Sequence, residues 1–344
     1  MSSRPEPEAL LPWALSILGL SDCEARPSMT VVAGDASSRR YFRFAIAEQS
    51  YVLVEAPPAT EKNEAFLAVR TLLAEAGVRV PDLLGADLDC GYLLLEDLGD
   101  RLLLSALDNV SVGGHYNRAF DVMVKMALVD TQRTGLGEYS QQLLAEELGR
   151  FQQWFVEGLL GIAPTAHEQS LIGRVSGRLI ESALEQPQVL VHRDFHSRNL
   201  MLVGVNGLAV IDFQDAVVGP VTYDLVSLLR DCYIQWPVEQ VQQWASDYFV
   251  LLRSRGMMRD VDLTGFLRWF DWMGLQRHLK VLGTFARLSL RDGKSSYLED
   301  LPLVIEYVLE ILDKYAGEEP SFAELSSWFA AHLSPVIARQ DWSR

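Results

Sequence analysis

The sequence predicts an α+β chain in two parts, a small β-rich lobe followed by a larger helical lobe. Three observations lead there. Over about the first hundred residues, short apolar runs are broken by turn residues. From about residue 115 onward, apolar residues recur at helical spacing. That helical texture has one interruption, "QVLVHRDFHSRNLMLVGVNGLAVIDF" at 189–213, where two apolar runs flank Asn206-Gly207, a hairpin signal. The division expected is 1–99 and 100–344, with the hairpin 189–213 inside the helical lobe.

Each element has its own signature. Leu10 to Leu20 is a short apolar stretch containing Pro12 and preceded by Glu6 and Glu8, so it predicts an amphipathic helix rather than a signal peptide or a membrane span. "MTVVAGDASSRRYFRF" reads as strand, tight turn and strand, with Gly34-Asp35 and Ser37-Ser38 in the turn. "SYVLVEAPP" is a third strand, stopped by two prolines. In "NEAFLAVRTLLAEAG", Phe66, Val69, Leu72, Leu73 and Ala76 share a helical face and Gly77 suits the position after the helix. Two more strands fall near 82–88 and 91–96, around Asp89-Cys90-Gly91. Helices follow in "YNRAFDVMVKMALVDTQ" and "ELGRFQQWFVEGLL".

Composition narrows the partners. The chain has 344 residues and a formal net charge of −16, which opposes binding to nucleic acid or an anionic membrane. Cys23, Cys90 and Cys232 are odd in number and far apart, which predicts a reducing, cytoplasmic location and no zinc site. A monomer acting on a small molecule is the expectation.

"VHRDFHSRNLM" at 191–201 concentrates His192, Arg193, Asp194, His196, Arg198 and Asn199 between apolar residues. Asn199 lies five residues past Asp194, and Asp212 thirteen past Asn199, so a hairpin would return Asp212 to the cluster. Two carboxylates and an amide carbonyl form an all-oxygen set suited to Mg²⁺, which shares its shell with water and substrate phosphates. Phosphoryl transfer needs a carboxylate to orient the attacking hydroxyl and take its proton, metal ligands for the phosphates, and cations near the transferred group. Asp194 fits the first role, and Asn199 and Asp212 the second.

"HRDFHSRNLM…VIDFQDAVVGPVTYDL" resembles the H-x-D-x-x-x-x-N and D-F motifs of the protein-kinase-like aminoglycoside phosphotransferase superfamily. The resemblance implies a bilobal protein-kinase-like fold using ATP and Mg²⁺. Asp194 would be the base, Asn199 and Asp212 the metal ligands, His192 a support for the catalytic loop, and Asp224 its tie to the following helix. "GDASSRRYF" sits where the family covers the phosphates, which implicates Gly34, Ser37 and Ser38. "LLLEDLG" sits at the lobe hinge, where backbone groups of Glu96, Asp97 and Leu98 would hold adenine. One departure matters: the third strand, "YVLVEAPP", lacks the family's phosphate-binding lysine. Arg40, Arg43 and Lys62 are the candidate replacements, and Glu64 stands where that lysine's acidic partner would be.

Between Arg277 and Lys294 there are five Lys/Arg against one Asp, in a strongly acidic chain. On a helix, Gln276, Lys280, Gly283 and Arg287 share one face and Leu275, Leu279, Leu282 and Ala286 another. Arg277 and Lys280 are thus candidates for a substrate anion, and Trp269 and Trp272 for stacking on a sugar. His196 and Arg198 complete the substrate set. This segment, "GDASSRRYF" and the missing lysine together resemble the bacterial N-acetylmuramate/N-acetylglucosamine anomeric kinases of peptidoglycan recycling. That resemblance implies ATP-dependent phosphorylation of the C1 hydroxyl of an amino sugar, whose lactyl carboxylate would meet Arg277 or Lys280. An aminoglycoside kinase of the same fold and a nucleotide-binding regulator without catalysis remain the alternatives.

Overall fold

Alternating burial along two neighbouring strands organises the β-rich part. In β2 (Arg40–Ile46), Phe42 and Phe44 are buried, and Leu53 of β3 (Gln49–Glu55) pairs directly with Phe42. The computed structural model describes residues 8–21, 27–32 and 38–343. Within them β1 (Thr30–Val32), β4 (Leu83–Asp87) and β5 (Tyr92–Glu96) complete a five-stranded antiparallel sheet of order β1-β2-β3-β5-β4. Helix α1 (Leu10–Ile17) covers one face: Leu10, Ala14 and Leu15 form a core with Phe42, Phe44, Leu53 and Leu94. Helix α2 (Asn63–Glu75) buries Phe66, Val69 and Leu73, and Gly77 follows it with φ +74°. The predicted order of three strands, a helix and two strands is the observed one.

The interruption in the helical texture holds more strands than its pattern shows. β7 (Leu200–Val203) and β8 (Gly207–Val210) form the hairpin, pairing Leu200 with Val210 and Val203 with Gly207. The loop is Gly204-Val205-Asn206, and its left-handed residue is Gly204, φ +57°, rather than the Asn206-Gly207 pair. β6 (Gln188–Val191) lies outside the hairpin and pairs with β9 (Val217–Pro220), a four-residue strand with no alternation to betray it.

By contacts the chain divides into two units, Met1–Asp108 with Arg198–Asp215, and Asn109–Ser197 with Ala216–Arg344. The hairpin thus groups with the β-rich part, where the Leu202 and Val210 N–H groups donate to Arg101 O and Arg79 O at 2.8 and 2.9 Å.

The second unit is built around α8 (Leu263–Asp292), begun by the Asp262 side chain on Gly265 N–H and ended by Gly293 at φ +69°. α8 is buried almost continuously from Phe270 to Gly283. Its expected basic face therefore turns inward: Arg277 and Lys280 are 4% and 8% exposed. It contacts α4 (Gln141–Arg150), α5 (Ala166–Leu184), α6 (Tyr223–Leu229), α7 (Val238–Ser254) and α9 (Leu301–Lys314), while α3 (Val112–Ala127) packs on β6 and α7. The closest approach is at Gly283, where a Cβ would stand 2.2 Å from the Arg150 carbonyl carbon. Only glycine lets the helices meet there. That contact sits where α4 widens into a π-helical turn, Phe151–Leu159. One turn back from Gly283 and Arg150 lie Lys280 and Glu147.

Candidate active site

Ribbon β6–β9 delivers the loop His192–Ser197, and buried groups of the helical unit hold that loop at several points. The Asp224 carboxylate, in the first turn of α6, accepts from the His192 N–H at 2.7 Å and the Arg193 N–H at 3.0 Å. Burial raises Asp224 to about 6, with His192 and the two N–H groups pulling the other way. His192 is 1% exposed, and its Nδ1 accepts from the Asp194 N–H at 3.2 Å. Past Asp194, Phe195 is fully buried, and Asp231 Oδ2 accepts from both the N–H and the hydroxyl of Ser197, at 2.9 and 2.5 Å.

Arg193 carries the strain. Its φ is +76°, a left-handed conformation that a long side chain adopts at a cost of about 1–3 kcal/mol. Its N–H is tied to Asp224, its carbonyl accepts from Arg277 at 2.7 Å, and its guanidinium pairs with Glu147 at 2.5 Å. Such over-determination is what keeps a strained residue in place.

Glu147 is fully buried and collects three donors: Arg193, the Tyr139 hydroxyl and Lys280, the last at 3.2 Å. Burial pushes its pKa up, and Lys280 and Arg193 more than offset this, so it stays ionised. Lys280 and Arg277 both donate to the Tyr223 hydroxyl, at 2.9 and 3.1 Å. Arg277 also stands 3.6 Å from Asp194, whose side chain is 45% exposed. Loss of water pushes Asp194 up, but Lys280 and Arg277, helped by His196 and Arg193, hold it well below the usual carboxylate range. Asp194 is therefore an ionised, half-exposed carboxylate on a rigid loop.

The other predicted substrate residues separate. Trp272 is 5% exposed, packed on Phe322 and Tyr315 and flanked by Arg178 and Arg268, so its ring is core and not a sugar platform. Trp269 is half-buried and donates to Glu185 at 2.5 Å. His196 lies edge-on to Tyr233, 5.4 Å between ring centres, and burial lowers its pKa, keeping the ring neutral at pH 7. Arg198 is exposed.

In the β-rich unit the hairpin register supplies the remaining pair. The Asn199 carbonyl accepts from the Ile211 N–H at 3.1 Å, one step past the Leu200–Val210 pair, so Asn199 and Asp212 come to one hairpin end. Asn199 is 7% exposed. Asp212 has φ +63°, which breaks the strand alternation, and its carboxylate accepts from Gln214 at 2.8 Å. Phe213 beside it stacks on Phe66 of α2, 4.9 Å between centres.

The predicted nucleotide residues have mixed fates. Gly34 and Ser37 lie outside the described residues. The Ser38 N–H donates to Glu61 at 2.9 Å. Arg40 pairs with Glu55, and Lys62, largely exposed, stands 3.6 Å from Asp215. Arg43 bonds Asp97, Asp100 and the Gly99 carbonyl, which makes it a strut for the segment after β5 rather than a phosphate ligand. Asp97 also accepts from the Gly99 N–H at 2.9 Å. The Glu96 N–H is taken by Asp82 O at 2.9 Å, so that donor serves the sheet and not adenine. Leu98 is half-buried.

Sequence reasoning missed Glu147, Tyr223, Asp231 and Arg39. The first three meet their partners only through tertiary packing, so no local pattern announces them. Arg39 had a signal: counting by twos from Tyr41 places it on the face opposite Phe42, and Arg40 with Phe42.

Oxygen donors Asn199 and Asp212 suit a hard cation that completes its shell with water and phosphate oxygens. No cluster of three His, Cys, Asp or Glu able to enclose a metal occurs among the described residues.

An antiparallel-sheet unit ending in an amide–carboxylate hairpin, with an ionised aspartate on a clamped loop of a helical unit, defines a kinase-like phosphotransferase. The chain belongs to the phosphotransferase enzyme family, whose model matches residues 28–260. It is 41% identical over 303 residues to an N-acetylmuramate/N-acetylglucosamine kinase of Pseudomonas putida, covering 88% of each chain. Identity to the protein of that name from Neisseria meningitidis is 39% over 303 residues, covering 86% of this chain and 89% of the relative. Among solved structures, an ethanolamine kinase of Plasmodium vivax shares the fold with a TM-score of 0.65 at 10% identity, over 89% of this chain and 91% of that one. A choline kinase of Streptococcus pneumoniae gives 0.61 at 16% identity, over 88% and 99%.

Proposed function

We propose that this chain transfers the γ-phosphoryl group of ATP to the anomeric C1 hydroxyl of N-acetylmuramate and N-acetylglucosamine, as a cytoplasmic monomer in peptidoglycan recycling. The observation that carries this reading is the identity of 39–41% over most of the chain to relatives named for both sugars. No helix among the described residues is long and apolar enough to cross a membrane.

In this reading Asp194 accepts a hydrogen bond from the C1 hydroxyl and aims its oxygen at the γ-phosphorus. The C1 oxygen forms the new bond to the γ-phosphorus, the bond from that phosphorus to the β–γ bridging oxygen breaks and ADP leaves with that oxygen and its electron pair, and the hydroxyl proton passes to Asp194 and then to solvent. An aspartate held so far below its usual pKa is a weak base, so the proton moves late. This suits a loose transition state, and a hemiacetal hydroxyl, more acidic than an alcohol, suits such a base. Asn199 and Asp212 would hold Mg²⁺, which when bound offsets charge on the phosphates. His192, Asp224 and Ser197 keep the loop in register. Arg277 and Lys280 act from beneath it: their partners are Glu147, Tyr223, Asp194 and the Arg193 carbonyl, so we assign them to the base and not to the lactyl carboxylate.

A panel of amino sugars incubated with MgATP, with products read by ³¹P NMR, tests this. An anomeric phosphate from both sugars is expected. A 6-phosphate, or no turnover of either sugar at high enzyme concentration, would overturn it.

A further inference from the structure

A polyphosphate chain with one divalent ion keeps net negative charge, and Asn199 and Asp212 add none that is positive. The β-rich unit must therefore supply a cation near its hairpin end, or leave that charge to solvent. Its described basic residues divide clearly. Arg40 answers Glu55, Arg43 the Asp97–Asp100 segment, Arg70 the Pro81 carbonyl and Asp82, and Arg79 Glu96; Arg101 and Arg198 are exposed, and Lys62 largely so.

Arg39 differs from all of these. Its side chain is 1% exposed. Its Nε stands 3.4 Å from Glu61, and its guanidinium lies over the Phe66 ring, 5.3 Å from the centre. Phe66 in turn stacks on Phe213, the residue after Asp212. Two aromatic rings thus join the buried cation to the residue beside the expected metal ligand. Tyr41 reports the same neighbourhood: burial raises it to about 12, Arg39 opposes, and the Asp212 and Glu61 carboxylates add. Glu61 also accepts from the Ser38 N–H, so a single carboxylate fixes both the guanidinium and the backbone entering β2.

We propose that Arg39, seated by Glu61 and Phe66, is the cation of this unit that binds the nucleotide phosphates. A guanidinium matches phosphate oxygens through a planar fork of donors, and burial strengthens each bond relative to water. Its reach to the phosphates comes from the start of β2, not from β3, whose residues Gln49–Glu55 include no lysine. Glu61 is then a positioning residue. The inference rests on the reading that Asp212 and Asn199 hold a metal-bound nucleotide.

The test is the ratio of affinities for ADP with Mg²⁺ and for adenosine, measured by calorimetry or by displacement of a fluorescent nucleotide. Arg39→Ala should weaken ADP by about tenfold or more and adenosine by less than about twofold. Arg39→Lys should fall between the wild type and Arg39→Ala, and Glu61→Gln should shift the ratio in the same direction. An unchanged ratio in folded Arg39→Ala, or equal loss of both ligands, would overturn the proposal, since a structural pair would move both alike. Should Arg39→Ala not fold, Arg39→Lys decides by the same ratio. No sugar is present, so the outcome is separate from the proposed activity: a chain inert on both sugars whose ADP preference still collapses keeps Arg39 and loses only the sugar reading.

Discussion

The two units hold their polar groups in different ways. In the helical unit, Glu147, Arg193, Tyr139, Lys280, Tyr223 and Arg277 form one connected network, mostly buried, and each member touches at least one other. In the β-rich unit, charges pair in separate small groups, part-buried as Arg40 with Glu55 and Arg43 with Asp97, or reaching the surface as at Asp100, with Arg39 buried beside Glu61. Positional accuracy is concentrated in the helical unit. On the proposed reading Asp194 is a base that must meet a proton at hydrogen-bond distance, and its loop is fixed at both ends and underneath. A polyphosphate with its metal tolerates looser partners, because attraction between charges falls slowly with distance.

Four substitutions test this contrast. Asp194→Asn should lower kcat by several orders of magnitude, about 10²–10⁴-fold for lost base function alone, with ADP affinity nearly unchanged. Parallel steady-state kinetics and nucleotide titration would show that split. Glu147→Gln leaves Lys280 and Arg193 with their charges less compensated inside the helical unit, and should cost about 3–5 kcal/mol in urea unfolding, with a fall in kcat. Asp224 gives a pH signature. Its pKa is raised on folding, so the stability it contributes is complete below the unfolded value near 3.8 and is lost as pH rises through about 6. The span is roughly 3 kcal/mol, and Asp224→Asn should flatten the stability curve between pH 4 and 6, as read by thermal melts in that window. Arg43→Ala, which removes a partly exposed strut of the β-rich unit, should cost only about 1 kcal/mol. A loss as large as that at Glu147 would erase the contrast.

Much of this was legible in the sequence because the signals were local. Alternation in 40–46 and 49–55, the helical face of 63–77 and the turn before β5 all act over a few residues. The hairpin follows from its two apolar runs, but its register does not: Asn206-Gly207 is the stronger turn pattern, whereas Gly204-Val205-Asn206 closes the loop and pairs Leu200 with Val210. The helical unit was harder to read. The excess of Lys/Arg after Arg277 was visible, but whether a basic face meets a ligand or a buried glutamate depends on a residue 130 or more positions earlier. Trp272 misled for a related reason, since an aromatic residue beside basic neighbours looks the same in a core and at a sugar site. β9 escaped because strand pairing with β6, not its own composition, makes it a strand.

The sharpest test of the account compares two sugars in one variant. N-acetylmuramate carries the lactyl carboxylate and N-acetylglucosamine does not, so Lys280→Met should be assayed with both by initial rates. If Lys280 serves the base through Glu147 and Tyr223, kcat falls for both sugars and the ratio of their kcat/KM values stays that of the wild type. A selective rise in KM for N-acetylmuramate, with N-acetylglucosamine untouched, would show Lys280 on the substrate carboxylate and contradict the assignment.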